Sequence, residues 1–177
     1  MVLTRMSGLA VALALVGVVL AAVPAGARER VSFLGSLASL ESFAPGTIVI
    51  RTAERQLYLV EGGGTALRYR VAVGRPGKQW LGEARIEGKY VRPAWAPPAE
   101  VKRDNPRLPD VIPGGSPANP MGVRALTLDR DEYAIHGTNR PASIGTPASY
   151  GCIRMLNEDI VDLYERVGVG TRVVVER

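Results

Sequence analysis

Short runs of alternating apolar and polar residues dominate this chain from residue 47 onwards. Alternation sends successive side chains to opposite faces of a strand, so these runs predict strands with one buried face. Most are also rich in β-branched and aromatic residues. The runs are TIVIRT (47–52), QLYLVE (56–61), ALRYRVAVG (66–74), EARIEGKYV (83–91), GVRALTL (122–128), EYAIHG (132–137) and TRVVVE (171–176).

A helical pattern is convincing only at NEDIVDLYERV (157–167). Asn157 is expected to cap this helix, Glu158 and Asp159 suit its positive end, and Gly168 should end it. Its apolar positions share one face: Ile160, Leu163, Tyr164 and Val167. The glycines of EGGG (61–64) favour a hairpin turn. The pattern predicts a mainly β domain with one short helix in the C-terminal half of the chain.

The segment between the predicted strands, 93–120, holds eight of the thirteen prolines. Proline removes a backbone donor and fixes φ, so the segment cannot be a central strand or a long helix. A loop of this length in a compact domain is usually functional or disordered. Trp80, Tyr90 and Trp95 lie in or near it, as walls for an extended substrate or as ordinary packing residues.

The first 27 residues differ from the rest, because Arg5 is their only charge and 9–23 is an unbroken apolar run. The run is short for a membrane span, which needs roughly 20 apolar residues. With an A-x-A site at 25–27, we expect a signal peptide over 1–27, and an uncleaved anchor is the alternative. Residues 28–45 are expected to be a leader or linker, followed by a single domain over 46–177.

Export would change what the net charge and the single cysteine imply about function. Without Arg5 the formal charge falls from +5 to +4, which favours an encounter with an anionic cell envelope and not with nucleic acid. The single cysteine, Cys152, cannot form an internal disulfide. It is therefore either a small buried apolar residue or a thiol that is kept free for chemistry.

The stretch IHGTNRPASIGTPASYGCIRM (135–155) contains both Cys152 and the only histidine, His136. A nearby imidazole is the usual means of forming a thiolate near neutral pH. The carbonyl of Gly137 could orient the ring, the amides around Gly151 could form an oxyanion hole, and Arg154 could bind a carboxylate through two parallel bonds. A structural histidine and an inert thiol remain the alternative. One cysteine and one histidine are too few ligands for a zinc site.

The order of residues in this stretch closely resembles the signature of the L,D-transpeptidase catalytic domain (YkuD) family. In that signature a histidine and a small residue precede a Ser-x-Gly-Cys segment and an arginine. The resemblance extends upstream to IPGGSPANPMGVRALTL (112–128) and GTIVIRTAERQLYLV (46–60), and so covers roughly 45–176. It implies a β-sandwich whose catalytic domain is 46–177.

The resemblance also implies roles for individual residues. Cys152 corresponds to the nucleophile, His136 to the base and Gly137 to the carbonyl that orients the ring. The expected substrate-binding residues are Arg154, Ser149, Tyr150, Gly151 and Thr138. Many family members have a second histidine where this chain has Tyr150, which could contribute a hydroxyl or form a wall of the pocket.

The reaction that the resemblance implies is on peptidoglycan stem peptides, in the periplasm or cell envelope. The thiolate would attack the bond between diaminopimelate and D-alanine, and an amine would then accept the acyl group. The acceptor could be a second diaminopimelate or the lysine of an envelope lipoprotein. No cofactor is expected, and the oligomeric state is left open. The alternatives are a cysteine hydrolase (L,D-carboxypeptidase) on the same fold and a binding module without turnover.

Overall fold

Strands supply most of the regular structure in the computed structural model, which describes residues 28–130 and 132–177. The expected signal peptide lies outside these residues. The strands are β1 (Glu29–Ser32), β2 (Ile48–Arg51), β3 (Gln56–Gly62), β4 (Thr65–Arg70), β5 (Val73–Gly74), β6 (Gly82–Val91), β7 (Arg124–Leu128), β8 (Ala134–His136), β9 (Pro147–Ser149), β10 (Ile153–Arg154) and β11 (Arg172–Glu176). The α-helices are α1 (Ala99–Asp104) and α2 (Asn157–Arg166), and 3₁₀ turns span Gly35–Ser42 and Pro141–Ser143.

Strand β6 joins two groups of strands. Nine strands lie in the order β1-β4-β3-β2-β11-β6-β7-β8-β10, and β5 and β9 form a separate two-stranded sheet. The first residues of β6, 82–85, pair with β11, and its later residues pair with β7, with a register shift between Ile86 and Gly88. A long strand that bends at such an irregularity forms a corner of a sandwich. The predicted mainly β class is confirmed, with few short helices. No helix among the described residues has the length and apolar character that a membrane crossing requires.

The main core lies between the sheets and α2. Ile50, Leu126 and Ile135 from the strands are fully buried with Ile160 and Leu163 from the helix. Each such side chain contributes about 1.5–3 kcal/mol by leaving water. The predicted apolar face of α2 is therefore confirmed, and this packing holds the helix against β7.

The expected capping role of Asn157 is wrong. Leu156 is the residue that flanks the start of α2, and no side chain caps the helix. The amide of Asn157 instead binds the chain after β8. Its Nδ2 donates to the carbonyl of Thr138 (3.0 Å), and its Oδ1 accepts from the amide of Thr138 (3.0 Å). These bonds join the start of α2 to the chain that follows His136.

Residues 28–45, expected as a leader or linker, pack against the first sheet. Strand β1 pairs antiparallel with β4 at the edge of that sheet. Phe33 and Leu40 are buried in a small cluster with Val49 and Tyr58. The burial of these apolar residues gives the segment a folded position in place of a free tether.

The proline-rich segment 93–120 is the long connection from β6 to β7, as predicted. It carries the short helix α1, which begins directly after Pro98. Backbone bonds between Trp95 and Ile112 close the connection into a loop. This loop places α1 beside the residues that follow β9, where the candidate site lies.

Candidate active site

Parallel pairing of β8 and β10 brings the candidate residues to one sheet edge. His136 is in register with Arg154, and Ile135 is in register with Ile153. Cys152 comes directly before β10, two residues from Arg154, which is about 7 Å along a strand. Side chains two apart on a strand share a face, so Cys152 and Arg154 project on the side of the sheet that carries the His136 ring.

The ring of His136 is buried and held in one orientation. Its side chain is 3% exposed, and Nδ1 lies 2.8 Å from the carbonyl oxygen of Gly137. A carbonyl only accepts hydrogen bonds, so Nδ1 carries the proton and Nε2 keeps its lone pair. Burial, followed by the charge of Arg154, lowers the pKa of His136 to about 4, although the carbonyls of Gly137 and Pro120 act in the opposite direction. The imidazole is therefore neutral at pH 7 and able to accept a proton.

Cys152 is also neutral in this state. Burial raises the pKa of its thiol above the ordinary value, and the backbone of Ala134 and the charge of Arg154 oppose that rise only in part. The thiol is directed towards the backbone just before strand β8, with Sγ 3.9 Å from the carbonyl oxygen of Glu132. Burial therefore opposes the expected thiolate at neutral pH, because it disfavours the charged form of both Cys152 and His136.

The close packing of Asn157 against residue 137 leaves room only for a glycine at that position. A Cβ at this position would lie 2.3 Å from Oδ1 of Asn157, and a Cβ at Gly122 would meet the same atom at 2.3 Å. The Asn157 amide therefore occupies the space above the residue whose carbonyl orients the histidine. Sequence reasoning missed this role of Asn157, because its position before an apolar helix indicated a cap.

The turn before the thiol is fixed by two side chains. Ser149 is 1% exposed; its hydroxyl donates to the carbonyl of Cys152 (2.5 Å) and accepts from the amide of Gly151 (3.1 Å). The indole Nε1 of Trp80 donates to the carbonyl of Gly151 (3.1 Å). The Gly151 amide is therefore engaged. The amides of Tyr150 and Cys152 have no hydrogen-bond acceptor among the described residues.

Cys152 opens into a cleft of about 500 Å³. The walls come from the loop at 77–79, from 98–101 at the start of α1, and from Tyr133 and Tyr150. A cleft of this volume accommodates a short peptide segment. The proline-rich connection therefore contributes one wall of the cleft through α1.

Tyr150 joins the thiol turn to α1. Its hydroxyl donates to Oδ2 of Asp104 (2.6 Å), and the guanidinium of Arg75 lies 3.9 Å from the centre of its ring. Arg75 also donates to Oδ2 of Asp104 (3.0 Å). The hydrogen bonds raise the pKa of the phenol and lower that of the carboxyl. Tyr150 thus forms a wall of the cleft and holds α1, with its hydroxyl engaged by Asp104.

Thr138 lies away from this cleft. It is 3% exposed and lines a second cavity, of about 620 Å³, with Asn119, Asn139 and Glu158. Its backbone is bound to Asn157 on both sides of the residue. Of the expected substrate-binding residues, Thr138 is therefore the one that the structure places beside a different cavity.

Arg154 has no counter-ion among residues 28–130 and 132–177. Its Nε is buried without a hydrogen-bond partner, and burial lowers the pKa of the guanidinium. A desolvated cation is costly unless an anion joins it.

The same described residues contain no group of three or more histidine, cysteine, aspartate or glutamate side chains that could hold a metal ion.

This arrangement coincides with a family match. The model of the L,D-transpeptidase catalytic domain, YkuD, matches residues 45–175, which include the thiol, the histidine and the arginine. The chain belongs to the L,D-transpeptidase family. The resemblance in the motif at 135–155 is therefore confirmed over nearly the whole described chain.

Individual L,D-transpeptidases show the extent of the likeness. The probable L,D-transpeptidase YbiS of Escherichia coli strain K12 is 43% identical over 135 residues, which cover 71% of this chain and 43% of YbiS. The chain spans less than half the length of the curated relatives that it matches. An Enterococcus faecium L,D-transpeptidase has the same fold, with a TM-score of 0.60 at 16% identity over 76% of this chain and 50% of that one.

A solved Brucella melitensis structure is named differently. The probable carnitine operon oxidoreductase CaiA is 44% identical, with a TM-score of 0.54, and the match covers 86% of this chain and 95% of that one. Its name describes a redox enzyme, whereas the family model and the curated relatives describe L,D-transpeptidases.

Proposed function

We propose that this chain is a peptidoglycan L,D-transpeptidase. The sulfur of Cys152 attacks the carbonyl carbon between the L-centre of diaminopimelate and the terminal D-alanine of a stem tetrapeptide. D-Alanine leaves, and the rest of the peptide stays on the sulfur as a thioester. An amine then takes the acyl group and restores the thiol.

His136 accepts and later returns the proton that is transferred in the first half-reaction. The neutral ring accepts the thiol proton at Nε2 as sulfur bonds to the carbonyl carbon, and a tetrahedral oxyanion forms. The C–N bond then breaks, and the imidazolium returns its proton to the nitrogen of D-alanine. The Gly137 carbonyl, 2.8 Å from Nδ1, stabilises the imidazolium that exists between these steps.

The second half-reaction reverses these roles. An amine attacks the thioester, and His136 takes a proton from the amine. The C–S bond then breaks, and the imidazolium returns this proton to the sulfur of Cys152. A second diaminopimelate as the amine would produce a cross-link, and the lysine of an envelope lipoprotein would produce an anchored protein. Export through a signal peptide at 1–27 would bring the enzyme to these substrates in the periplasm or cell envelope, with no cofactor needed.

The observation that carries the proposal is the register of β8 and β10. It supports the proposal because the oriented imidazole of His136 is in register with Arg154, a half-buried guanidinium without a counter-ion among the described residues, and Cys152 lies two residues before that arginine. A structural histidine does not require an unpaired cation next to it. Substrates with carboxylates on both the leaving D-alanine and the diaminopimelate would supply the missing anion.

A hydrolase or a binding module would use the same fold differently, and product analysis separates these functions. The mature protein is incubated with purified tetrapeptide muropeptides, and the products are analysed by mass spectrometry. Transfer predicts a cross-linked dimer with loss of one D-alanine, whereas hydrolysis predicts a tripeptide alone. A binding module would leave the substrate unchanged, and this result would overturn the proposal.

Replacement of His136 should slow acylation of the thiol. We expect His136→Ala to lower the rate of adduct formation with a carbapenem by about 10²-fold, the usual contribution of a positioned general base. The probe is appropriate because the L,D-transpeptidase LdtMt1, which has this fold, is known in complex with the carbapenem imipenem. Intact-mass spectrometry over time gives the rate.

The matched control for His136 is Tyr150→Phe, which removes a hydroxyl bound to Asp104 and not to the thiol. It should change the rate far less. If Tyr150→Phe were the slower of the two, the proton acceptor would have to be sought on the tyrosine side of the cleft.

The pH dependence of the thiol should reveal a neutral resting pair. Burial raises the pKa of Cys152 and lowers that of His136 to about 4, so both groups are uncharged at neutral pH. We expect the rate of alkylation by iodoacetamide to rise steadily between about pH 7 and pH 9, without an acidic plateau. Carbapenem acylation needs the neutral ring and should be nearly flat from about pH 6 to 8. A plateau of alkylation below about pH 7 would indicate a preformed thiolate–imidazolium pair.

A further inference from the structure

Trp80 lies far from the motif in sequence but contacts its turn. It is 8% exposed, just before β6, and its Nε1 donates across 71 residues to the carbonyl of Gly151 at 3.1 Å. Its ring stacks on that of Tyr133, with centroids 5.4 Å apart and planes 3° apart. The indole N–H therefore has a fixed direction.

The hydrogen bond from Trp80 to Gly151 fixes the orientation of a whole peptide group. The Gly151 carbonyl and the Cys152 amide belong to the same peptide group, and none of the described peptide bonds is cis. In a trans peptide the C=O and the N–H point in opposite directions. An indole that holds the Gly151 oxygen on one side therefore directs the Cys152 N–H to the other.

That N–H is available for the reaction. It donates to no backbone carbonyl among the described residues, and its contact with its own sulfur lowers the pKa of the thiol as one of several influences. Gly151 has φ of 128°, and a Cβ there would lie 2.3 Å from Cε1 of Tyr133. Only glycine allows the peptide to approach both aromatic residues this closely.

We propose that Trp80 is a positioning residue that aims the Cys152 amide at the oxyanion of the tetrahedral intermediate. The inference rests on the proposed function, because the oxyanion forms only if Cys152 attacks a carbonyl. Ser149 holds the Gly151 amide and the Cys152 carbonyl of the same turn. The indole completes this support by holding the Gly151 oxygen, the remaining backbone polar atom beside the reactive amide.

Trp80→Phe tests the proposal, because phenylalanine keeps an aromatic ring against Tyr133 and loses the hydrogen-bond donor together with the second ring of the indole. We expect carbapenem acylation of Cys152 to slow by about 10- to 10²-fold, somewhat less than the loss of a whole oxyanion donor. Alkylation by iodoacetamide should stay within about 2-fold of the unchanged protein, since displacement at a saturated carbon forms no oxyanion. A merely structural role would slow both reactions together.

Trp95→Phe is the matched control, because the Trp95 indole donates no hydrogen bond within the described chain and should leave both rates unchanged. Equal losses of acylation and alkylation in Trp80→Phe, or no loss of either, would overturn the role of Trp80. Failure of the proposed function would look different. The unchanged protein would then form no carbapenem adduct while its thiol still reacted with iodoacetamide.

Discussion

Cys152→Ala should form no covalent adduct with a carbapenem, whereas the unchanged protein should gain one adduct per chain. Cys152 is the only cysteine, and it opens into the cleft that would receive an acyl donor. The lactam resembles that donor, so its thioester should persist long enough for intact-mass measurement. Peptide mapping should place the added mass on the peptide that contains residue 152.

Cys152→Ser provides the control for this prediction. It keeps a nucleophilic atom in the same turn, but a hydroxyl at this position is far harder to deprotonate than a thiol. We expect a trace of adduct or a much slower one, with the thermal midpoint of unfolding close to that of the unchanged protein. An adduct that survives the alanine substitution would identify a different nucleophile and remove the basis of the mechanism.

Local patterns predicted the strands better than the pieces that join them. Alternation is a property of neighbouring residues, so β2, β3, β7 and β11 were predictable from their own runs. The edge strand β1 was not, because its stability comes from pairing with β4, more than thirty residues away. Helix α1 is six residues long, too short for a periodic signal.

The same distinction holds in the candidate site. Cys152, His136 and Arg154 could be proposed because they lie within one short motif. The contacts that Trp80 and Asp104 make with the thiol turn could not be predicted, because they cross 71 and 46 residues. Such contacts depend on how the sheets and the long loop fold over one another.

Residue types also predict ordinary pKa values, and burial then changes them. Asp159 was expected at the positive end of α2, where a carboxylate is favoured, and it does lie there. It is 4% exposed, and burial, followed by the charges of Glu158 and Asp162, raises its pKa to about 7. The neutral thiol at Cys152 has the same cause, and the sequence contains no measure of desolvation at either position.

Arg154→Ala should lower turnover of a tetrapeptide by roughly 10²- to 10³-fold, because a substrate carboxylate loses a buried, charge-assisted partner. Arg154→Lys keeps the charge but loses the planar fork, so it should recover only part of the loss. Iodoacetamide alkylation should slow only a few-fold, since the arginine charge assists the Cys152 thiolate as one of several influences. Turnover and alkylation are measured on the same preparation.

The stability of Arg154→Ala separates a substrate role from a structural one. The guanidinium is half-buried, its Nε has no hydrogen-bond partner, and it has no ion pair within the described chain, so the folded protein gains little from its charge without a ligand. Removal of this unpaired, half-buried charge should leave the thermal midpoint of unfolding unchanged or raise it slightly, even though turnover is lost. A structural arginine with a salt bridge to the start of α2 predicts the reverse, a lower midpoint together with lost turnover. Unchanged turnover at an unchanged midpoint would exclude Arg154 from substrate binding, and the carboxylate of the leaving D-alanine would need another partner in the cleft.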